Sequence, residues 1–288
     1  MTWFLNALGA LLVVLALRDI FHTLWHPRGV GPLCRALFAL VWRVPRVRRG
    51  ELAGPIGILV VVITWTALIV AGWTLVYLPH MPDGFYFDTD LEPELSSDLV
   101  GSVYLSLVTV GTLGFGDITP AYAGLRLIAP LQALVGFILL TAALAWVLQV
   151  YPALTRRRAL AKRLSLMAEN DTLDYLATGD PVVVTRMLEA LTEDLLAVRM
   201  DLLQYGETYY FREQDPQVSL AANLAYALDL AHAGKQSGSL DVRHAAALLD
   251  GAVASTVSSL DDFVGNGGSV TDVLAAFADD HGQRALRE

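Results

Sequence analysis

The chain has 288 residues, 55% of them hydrophobic and 17% charged, against about 25% charged in an ordinary soluble domain, so it is too apolar to be a soluble globule throughout. Residues 1–168 carry 13 Lys+Arg and 9 Asp+Glu, whereas residues 169–288 carry 7 and 20; this excludes one uniform domain, and a net charge of −9 argues against nucleic acid as the main partner. Cys34 is the single cysteine, which excludes an internal disulfide and a cysteine-based zinc site.

Taken in chain order, the first element is an apolar stretch from Trp3 to about Trp25, long enough to cross a bilayer, which takes about 20 helical residues. No basic residue precedes it and no small-x-small site follows, so it is expected to be a retained helix rather than a cleaved leader. At its far end Asp19, His22 and His26 share one helical face at i, i+3 and i+7. Two readings stand for this trio, a proton-sensing cluster and a buried hydrogen-bonded group that fixes the helix to its neighbours. In Pro32–Val44, Leu33, Leu37, Leu40, Val41 and Val44 fall on one face and Arg35 and Arg43 on the other, the pattern of an interfacial helix with its arginines toward lipid phosphate. Arg43, Arg46 and Arg49 are spaced by three, as in a voltage sensor, but Pro45 interrupts them and no apolar helix carries them, which favours simple anchoring.

A second spanning stretch runs from Leu52 to about Leu78, and a third from about Tyr122 to Val150. Arginines crowd residues 18–51 and basic residues crowd 156–163, while residues 80–98 hold six acids and no Lys or Arg. The positive-inside rule then puts the N-terminus outside and the C-terminal part in the cytoplasm, in the plasma (inner) membrane.

Between the second and third stretches lies Ser106-Leu-Val-Thr-Val-Gly-Thr-Leu-Gly-Phe-Gly-Asp-Ile-Thr-Pro120, preceded by Asp98–Val110, about the length of a pore helix. A segment entering and leaving the membrane on one side must hide its backbone in protein or line a water-filled path. Gly114 and Gly116 allow positive φ, so the carbonyls of Thr112, Leu113, Gly114, Phe115 and Gly116 can all turn to one side. Four such chains around an axis would make rings of oxygens that replace the water shell of K⁺, with the Thr112 hydroxyl completing the lowest ring. The helix end before them would aim its partial negative charge at the ion path.

Thr112-Leu-Gly-Phe-Gly-Asp117 resembles the Thr-Val-Gly-Tyr-Gly-Asp filter of the tetrameric potassium channels, and the resemblance covers roughly Leu52 to Val150. It is closest to the prokaryotic type with two membrane helices around one pore loop, here with an extra N-terminal membrane helix. It implies a homotetramer, since one filter per chain demands four chains. It also implies that Arg126 is the basic residue at the outer end of the inner helix and Gly136 the hinge glycine. Leu113 stands for the usual Val or Ile, Phe115 for Tyr and Gly111 for the second Thr. Val108 stands where some relatives place a carboxylate beside the filter Asp, so Asp117 needs another partner, for which Tyr104 is the candidate donor.

In the third stretch Gln132, Gly136, Leu140, Ala143 and Val147 form one stripe, assigned to a water-filled cavity. Pro130 removes one helix hydrogen bond and is a second hinge candidate, while Val147 and Tyr151 are candidates for an apolar gate. From Thr155 onward the pattern is helical: a basic helix to Glu169, then roughly 182–205, 216–233, 241–264 and 269–283, with Asp180-Pro181 and Asp215-Pro216 as starts. No Gly-x-Gly-x-x-Gly turn, EF-hand loop or catalytic motif occurs there.

The fold expected is an all-α membrane protein with three transmembrane helices plus a re-entrant pore helix and filter loop, followed by an all-α cytoplasmic domain. Its divisions are residues 1–51 (first membrane helix and interfacial helix), 52–153 (pore module) and 154–288 (helical domain). The function expected is passive, K⁺-selective conduction by a homotetramer in the bilayer, with no enzymatic step, no cofactor and K⁺ as the permeant ion. The alternatives are a weakly selective cation channel and a membrane-tethered scaffold whose C-terminal bundle binds an unknown ligand or protein.

Overall fold

In a computed structural model of the chain, residues 2–25, 30–48, 50–88 and 98–283 are described. In chain order the helices are α1 (Thr2–Leu24), α2 (Pro32–Trp42), α3 (Pro45–Arg48) and α4 (Ala53–Tyr77), followed by a short strand β1 (Phe85–Phe87). The pore segment contributes α5 (Asp98–Val110) and β2 (Ile118–Pro120). Then come α6 (Ala123–Glu169), α7 (Thr172–Thr178), α8 (Pro181–Gln204), α9 (Leu220–Gly234), α10 (Leu240–Val264) and α11 (Val270–Asp280). Three helices, α1, α4 with its short 3₁₀ extension to His80, and α6, are long and apolar enough to cross a membrane. The protein is an all-α membrane protein whose described strands form one two-stranded pair.

The third membrane stretch and the basic helix are a single helix of 47 residues, α6. Pro130 and Pro152 both lie inside it, which a membrane helix tolerates because neighbouring groups re-satisfy the freed carbonyls. Asp215-Pro216 opens a one-turn 3₁₀ helix, Pro216–Val218, and the long helix starts only at Leu220. The short helix α7 and the strand pair had no clear periodic signal, because seven and three residues are too few to show one.

The chain divides into two compact units. One comprises the described residues within Met1–His26, Gly31–Cys34 and Ile58–Leu148. There α1 approaches α4 at two glycines: a Cβ on Gly9 would lie 2.4 Å from the Gly72 carbonyl oxygen, and one on Gly72 2.7 Å from that of Gly9. Backbones approaching this closely are the usual means by which membrane helices gain packing contact, since lipid gives them no hydrophobic drive to associate.

The other unit comprises the described residues within Pro27–Val30, Arg35–Gly57 and Gln149–Glu288. Its core is a helical bundle in which α8 packs on α10, and α10 on α9 and α11. Leu188, Leu191 and Leu195 recur at helical spacing on α8 and are almost fully buried. Asp180 caps α8 by accepting from the Val182 N–H at 2.8 Å, as the Asp-Pro pair predicts. Ser269 and Asp272 form a capping box at α11, and the Ser269 hydroxyl and N–H together hold the Asp272 carboxyl below the usual carboxylate range.

The basic run of α6 is engaged by this unit's own acids. Arg156 makes a two-pronged pair with Asp201 (2.6 and 2.7 Å), and Arg163 pairs with Asp194 at 2.7 Å. Arg157 is buried, donating to the carbonyls of Thr208 (2.5 Å) and Phe211 (2.6 Å) and to Glu213 (2.8 Å). Arg158 also reaches Glu213, at 2.9 Å. Removing one partner of a buried pair leaves an uncompensated charge, at a cost of about 3–5 kcal/mol. Arg157→Ala is therefore expected to lower the melting temperature of the full chain sharply, and Arg156→Ala, at an exposed site, much less; thermal unfolding of both variants checks this.

The amphipathic helix α2 packs against the protein with a face beside the leucine one. Cys34, Phe38, Val41 and Trp42 are buried, while Leu40 and Val44 are exposed. Phe38 stacks on Tyr210 with ring centroids 5.3 Å apart, and the Trp42 indole N–H donates to Asp280 at 3.0 Å beside His281.

Candidate functional site

The pore loop begins with how α5 ends. The Thr112 N–H donates to the Thr109 carbonyl (3.0 Å) and the Leu113 N–H to the Val108 carbonyl (2.9 Å). These are the two bonds of a Schellman cap, which places the residue after the C-cap in the left-handed region. That residue is Thr112, with φ 56°, an uncommon conformation for a β-branched side chain. Gly114 (φ 57°) and Gly116 (φ 81°) follow, while Leu113 and Phe115 between them have negative φ. Alternation of this kind swings successive peptide planes so that neighbouring carbonyls share one edge of the strand. The glycine spacing predicts two of the three left-handed residues; the third is set by the cap and has no signal in residue type.

The far end of the loop is tied down by Asp117. Its carboxylate accepts from the Tyr104 hydroxyl at 2.5 Å and from the Ile118 N–H at 3.1 Å, and its carbonyl accepts from the Asp88 N–H at 2.9 Å. Immediately beyond, β2 pairs antiparallel with β1, in the register Phe85–Pro120, Tyr86–Thr119 and Phe87–Ile118. Arg126 donates from Nε to the Pro120 carbonyl at 3.1 Å. The loop is thus held at both ends, by a helix cap below and a strand pair above. A hydrogen bond to a charged group contributes about 1.5–3 kcal/mol. Tyr104→Phe is therefore expected to loosen this end of the loop and lower the thermal stability of the full chain, checked by thermal unfolding.

Gln132 corrects one expectation. It is buried within the single chain with no exposed surface and does not face a cavity. Its Oε1 accepts from the Tyr77 hydroxyl at 2.5 Å, and its Nε2 donates to the Ser106 carbonyl and hydroxyl oxygens, each at 3.0 Å. Ser106 in turn donates to the Val70 carbonyl at 3.0 Å. One amide therefore links α4, α5 and α6, at a depth where an unpaired polar group would be expensive. Gly136 is likewise buried, its Cα facing the C-terminal residue of α5: a Cβ there would lie 2.2 Å from the Val110 oxygen. Pro130 and Tyr151 are exposed and Val147 is half-buried.

Asp19 sits elsewhere, nearly fully buried. Its Oδ1 accepts from the Leu33 N–H at 2.9 Å, and its Oδ2 from the Cys34 N–H at 3.2 Å and the Trp65 indole N–H at 2.8 Å. The first two donors are orphan amides of the first turn of α2, so Asp19 acts as a cap supplied from another helix. His22 is half-buried beside Phe21; His26 lies outside the described residues.

Residues 57–151 match the family described as Ion channel. Among curated proteins the chain is 27% identical over 171 residues to "Uncharacterized membrane protein YdjJ" of Bacillus subtilis, covering 57% of this chain and 49% of that protein. It is 24% identical over 100 residues to "Putative potassium channel protein RPA4233" of Rhodopseudomonas palustris, covering 35% of this chain and 24% of that one. It is 34% identical over 83 residues to "Protein LctB" of Bacillus caldotenax, covering 27% and 61%. The chain thus spans less than two thirds of each of these relatives. No solved structure matches it at comparable stringency. Two membrane helices, a capped helix between them and a loop of alternating φ coincide with the residues that match the ion-channel family.

Proposed function

We propose that the protein is a homotetrameric, K⁺-selective channel that conducts passively, with Thr112 to Gly116 of four chains as its filter. The observation that carries this reading is the left-handed alternation at Thr112, Gly114 and Gly116 directly after a capped helix end. Such a strand offers a ladder of carbonyl oxygens and little else. Four ladders replace the hydration shell of a dehydrated K⁺, and ions at successive rings push one another through. The dipole of α5 adds partial negative charge where the ion enters the ladder. No bond is made or broken, so no catalytic group is needed.

Tetramerisation is supported by what one chain leaves uncovered. Residues 111–116 are exposed on the single chain, including the bulky side chains of Leu113 and Phe115. Re-entrant backbone at membrane depth persists only inside protein or along a water-filled path, and sister subunits supply both. The arginine-rich inner loop and acidic outer loop favour the N-terminus outside and the helical bundle in the cytoplasm, in the plasma membrane.

The test is the reversal potential of purified protein in planar bilayers under opposed K⁺ and Na⁺ gradients, beside the mass of the assembly in detergent. A potential near the K⁺ equilibrium value from a four-chain particle is the expected result. Equal permeation of Na⁺ would indicate a weakly selective cation pore, a reading favoured by Phe115 lacking the hydroxyl that a tyrosine would offer there. An assembled tetramer of the full chain that stays silent across pH and voltage would overturn conduction altogether.

A further inference from the structure

We propose that α2 is a two-sided tether: its aromatic face grips the helical bundle, while its leucine face and Arg43 seat it on the inner leaflet through anionic phospholipid. The helix divides into sectors. Cys34, Phe38, Val41 and Trp42 are buried against protein. Beside them round the helix run Leu33, Leu37 and Leu40, continued by Val44 in the turn that follows. Leu40 is 58% exposed and Val44 45%, while Leu33 and Leu37 are half-buried. Arg43 borders this stripe on the side away from the buried sector; it is exposed and, among the described residues, makes no hydrogen bond or ion pair.

Connectivity and charge identify the occupant of the uncovered stripe. In the chain α2 lies between α1 and α4, both long and apolar enough to cross a membrane. Its first amides are capped by Asp19, near the end of α1. Four residues on, Phe38 packs on Gly57 in the second turn of α4, where a Cβ would lie 2.3 Å from the ring. The helix is therefore fastened to the ends of two membrane helices, which holds its free side at a bilayer surface. Residues 18–51 carry seven arginines against two acids, Asp19 and Glu51, and Asp19 is buried. A lipid leaflet answers both parts of the free side, since leucines enter the acyl boundary and an arginine reaches the phosphate level. A second copy of the same face would set like charge against like.

The structure also separates the two arginines of α2. Arg35 lines a cavity in the bundle's unit together with Arg199 and Asp262, so Arg43 alone borders the leucine stripe. On the opposite side Phe38 stacks on Tyr210, and the Trp42 indole N–H donates to Asp280 at the end of α11. A leaflet that holds α2 thereby holds these parts of the bundle at the membrane. Lipid binding stands apart from conduction, so the proposal is tested without any current.

The test uses the full-length protein in phosphatidylcholine nanodiscs, with a bimane fluorophore on Leu40→Cys and, in a second preparation, on Val44→Cys. Both positions are exposed, so the substitutions spare the packing of α2, and the unmodified chain, whose single cysteine is fully buried, gives the background. Both fluorophores are expected to be quenched by lipids with a nitroxide in the acyl chain and shielded from aqueous iodide. Leu240→Cys, exposed on the bundle, calibrates the aqueous end. At equal low mole fraction, nitroxide phosphatidylglycerol should quench at position 40 about fivefold more effectively than nitroxide phosphatidylcholine, the ratio for one arginine near the surface. Arg43→Gln should bring the two lipids together. Quenching by iodide would overturn the proposal, because the stripe would then lie in water. Shielding from both reagents would overturn it as well, with a second copy or another protein as the cover. Equal quenching by the two lipids, or a preference that survives Arg43→Gln, would overturn the anionic contact.

Discussion

Replacing Gly114 by alanine is expected to abolish K⁺ flux from liposomes while leaving the helical content of the protein unchanged. A Cβ at this position would meet nothing within 4 Å, so the loss would not come from a clash within the chain. It would come from φ 57°, where an L side chain costs roughly 1–2 kcal/mol per residue. In the proposed ring of four that penalty would fall on every strand at once, and the peptide would relieve it by rotating its carbonyl off the shared edge. Gly124→Ala is the control: it too has open space around it, but its φ is ordinary. Flux lost in the first variant and kept in the second, with circular dichroism matched, identifies backbone conformation as the cause. Flux retained in Gly114→Ala would remove Thr112 to Gly116 as the ion path.

Gly136→Ala is expected to lower both the thermal stability of the assembled protein and its K⁺ flux. Here space decides. The added carbon would sit 2.2 Å from the Val110 oxygen and 2.9 Å from its carbonyl carbon. Those are backbone atoms of the last residue of α5, immediately before the cap that sets Thr112. Backbone cannot rotate aside as a side chain can, so α5 must move. Overpacking of this kind costs about 1–3 kcal/mol, and the displaced cap takes the filter with it. The hinge role implied by family resemblance makes a different prediction: stability unchanged, with only the opening of the pore altered. Measuring the melting of the assembly and the flux on the same preparation separates the two.

The legible features were those governed by local rules. Apolar runs of helical length mark α1, α4 and α6, because solvation in a bilayer acts on each segment independently. Asp180-Pro181 marks the start of α8, since a cap is satisfied within three residues. The Tyr104–Asp117 pairing followed from asking where a carboxylate with no acidic partner nearby could find a donor.

Other features stayed hidden because their partners are remote in the chain. Gln132 reads as a polar residue on a pore-facing stripe, and periodicity has no means of distinguishing a wet cavity from a buried polar junction. Its partners Tyr77 and Ser106 are 55 and 26 residues away. The spacing of the leucines on α2 is legible, whereas the packing of Phe38 and Trp42 beside them depends on Tyr210 and Asp280, far along the chain. For Asp19 the sequence offered a buried hydrogen-bonded role beside a proton-sensing one, but not its partners, the first amides of α2.

The amino-acid sequence by itself determined the membrane helices, the filter's glycine alternation and the helical character of the acidic C-terminal part. Each follows from length, residue type or spacing within about one turn or one span. Only the tertiary structure decided which polar groups are buried in pairs, which face of α2 is covered, and that Gly136 and Thr112 answer to the end of α5. The physical reason is that a buried hydrogen bond or a close backbone approach is worth its cost only against a particular partner, and a one-dimensional pattern does not say which partner arrives.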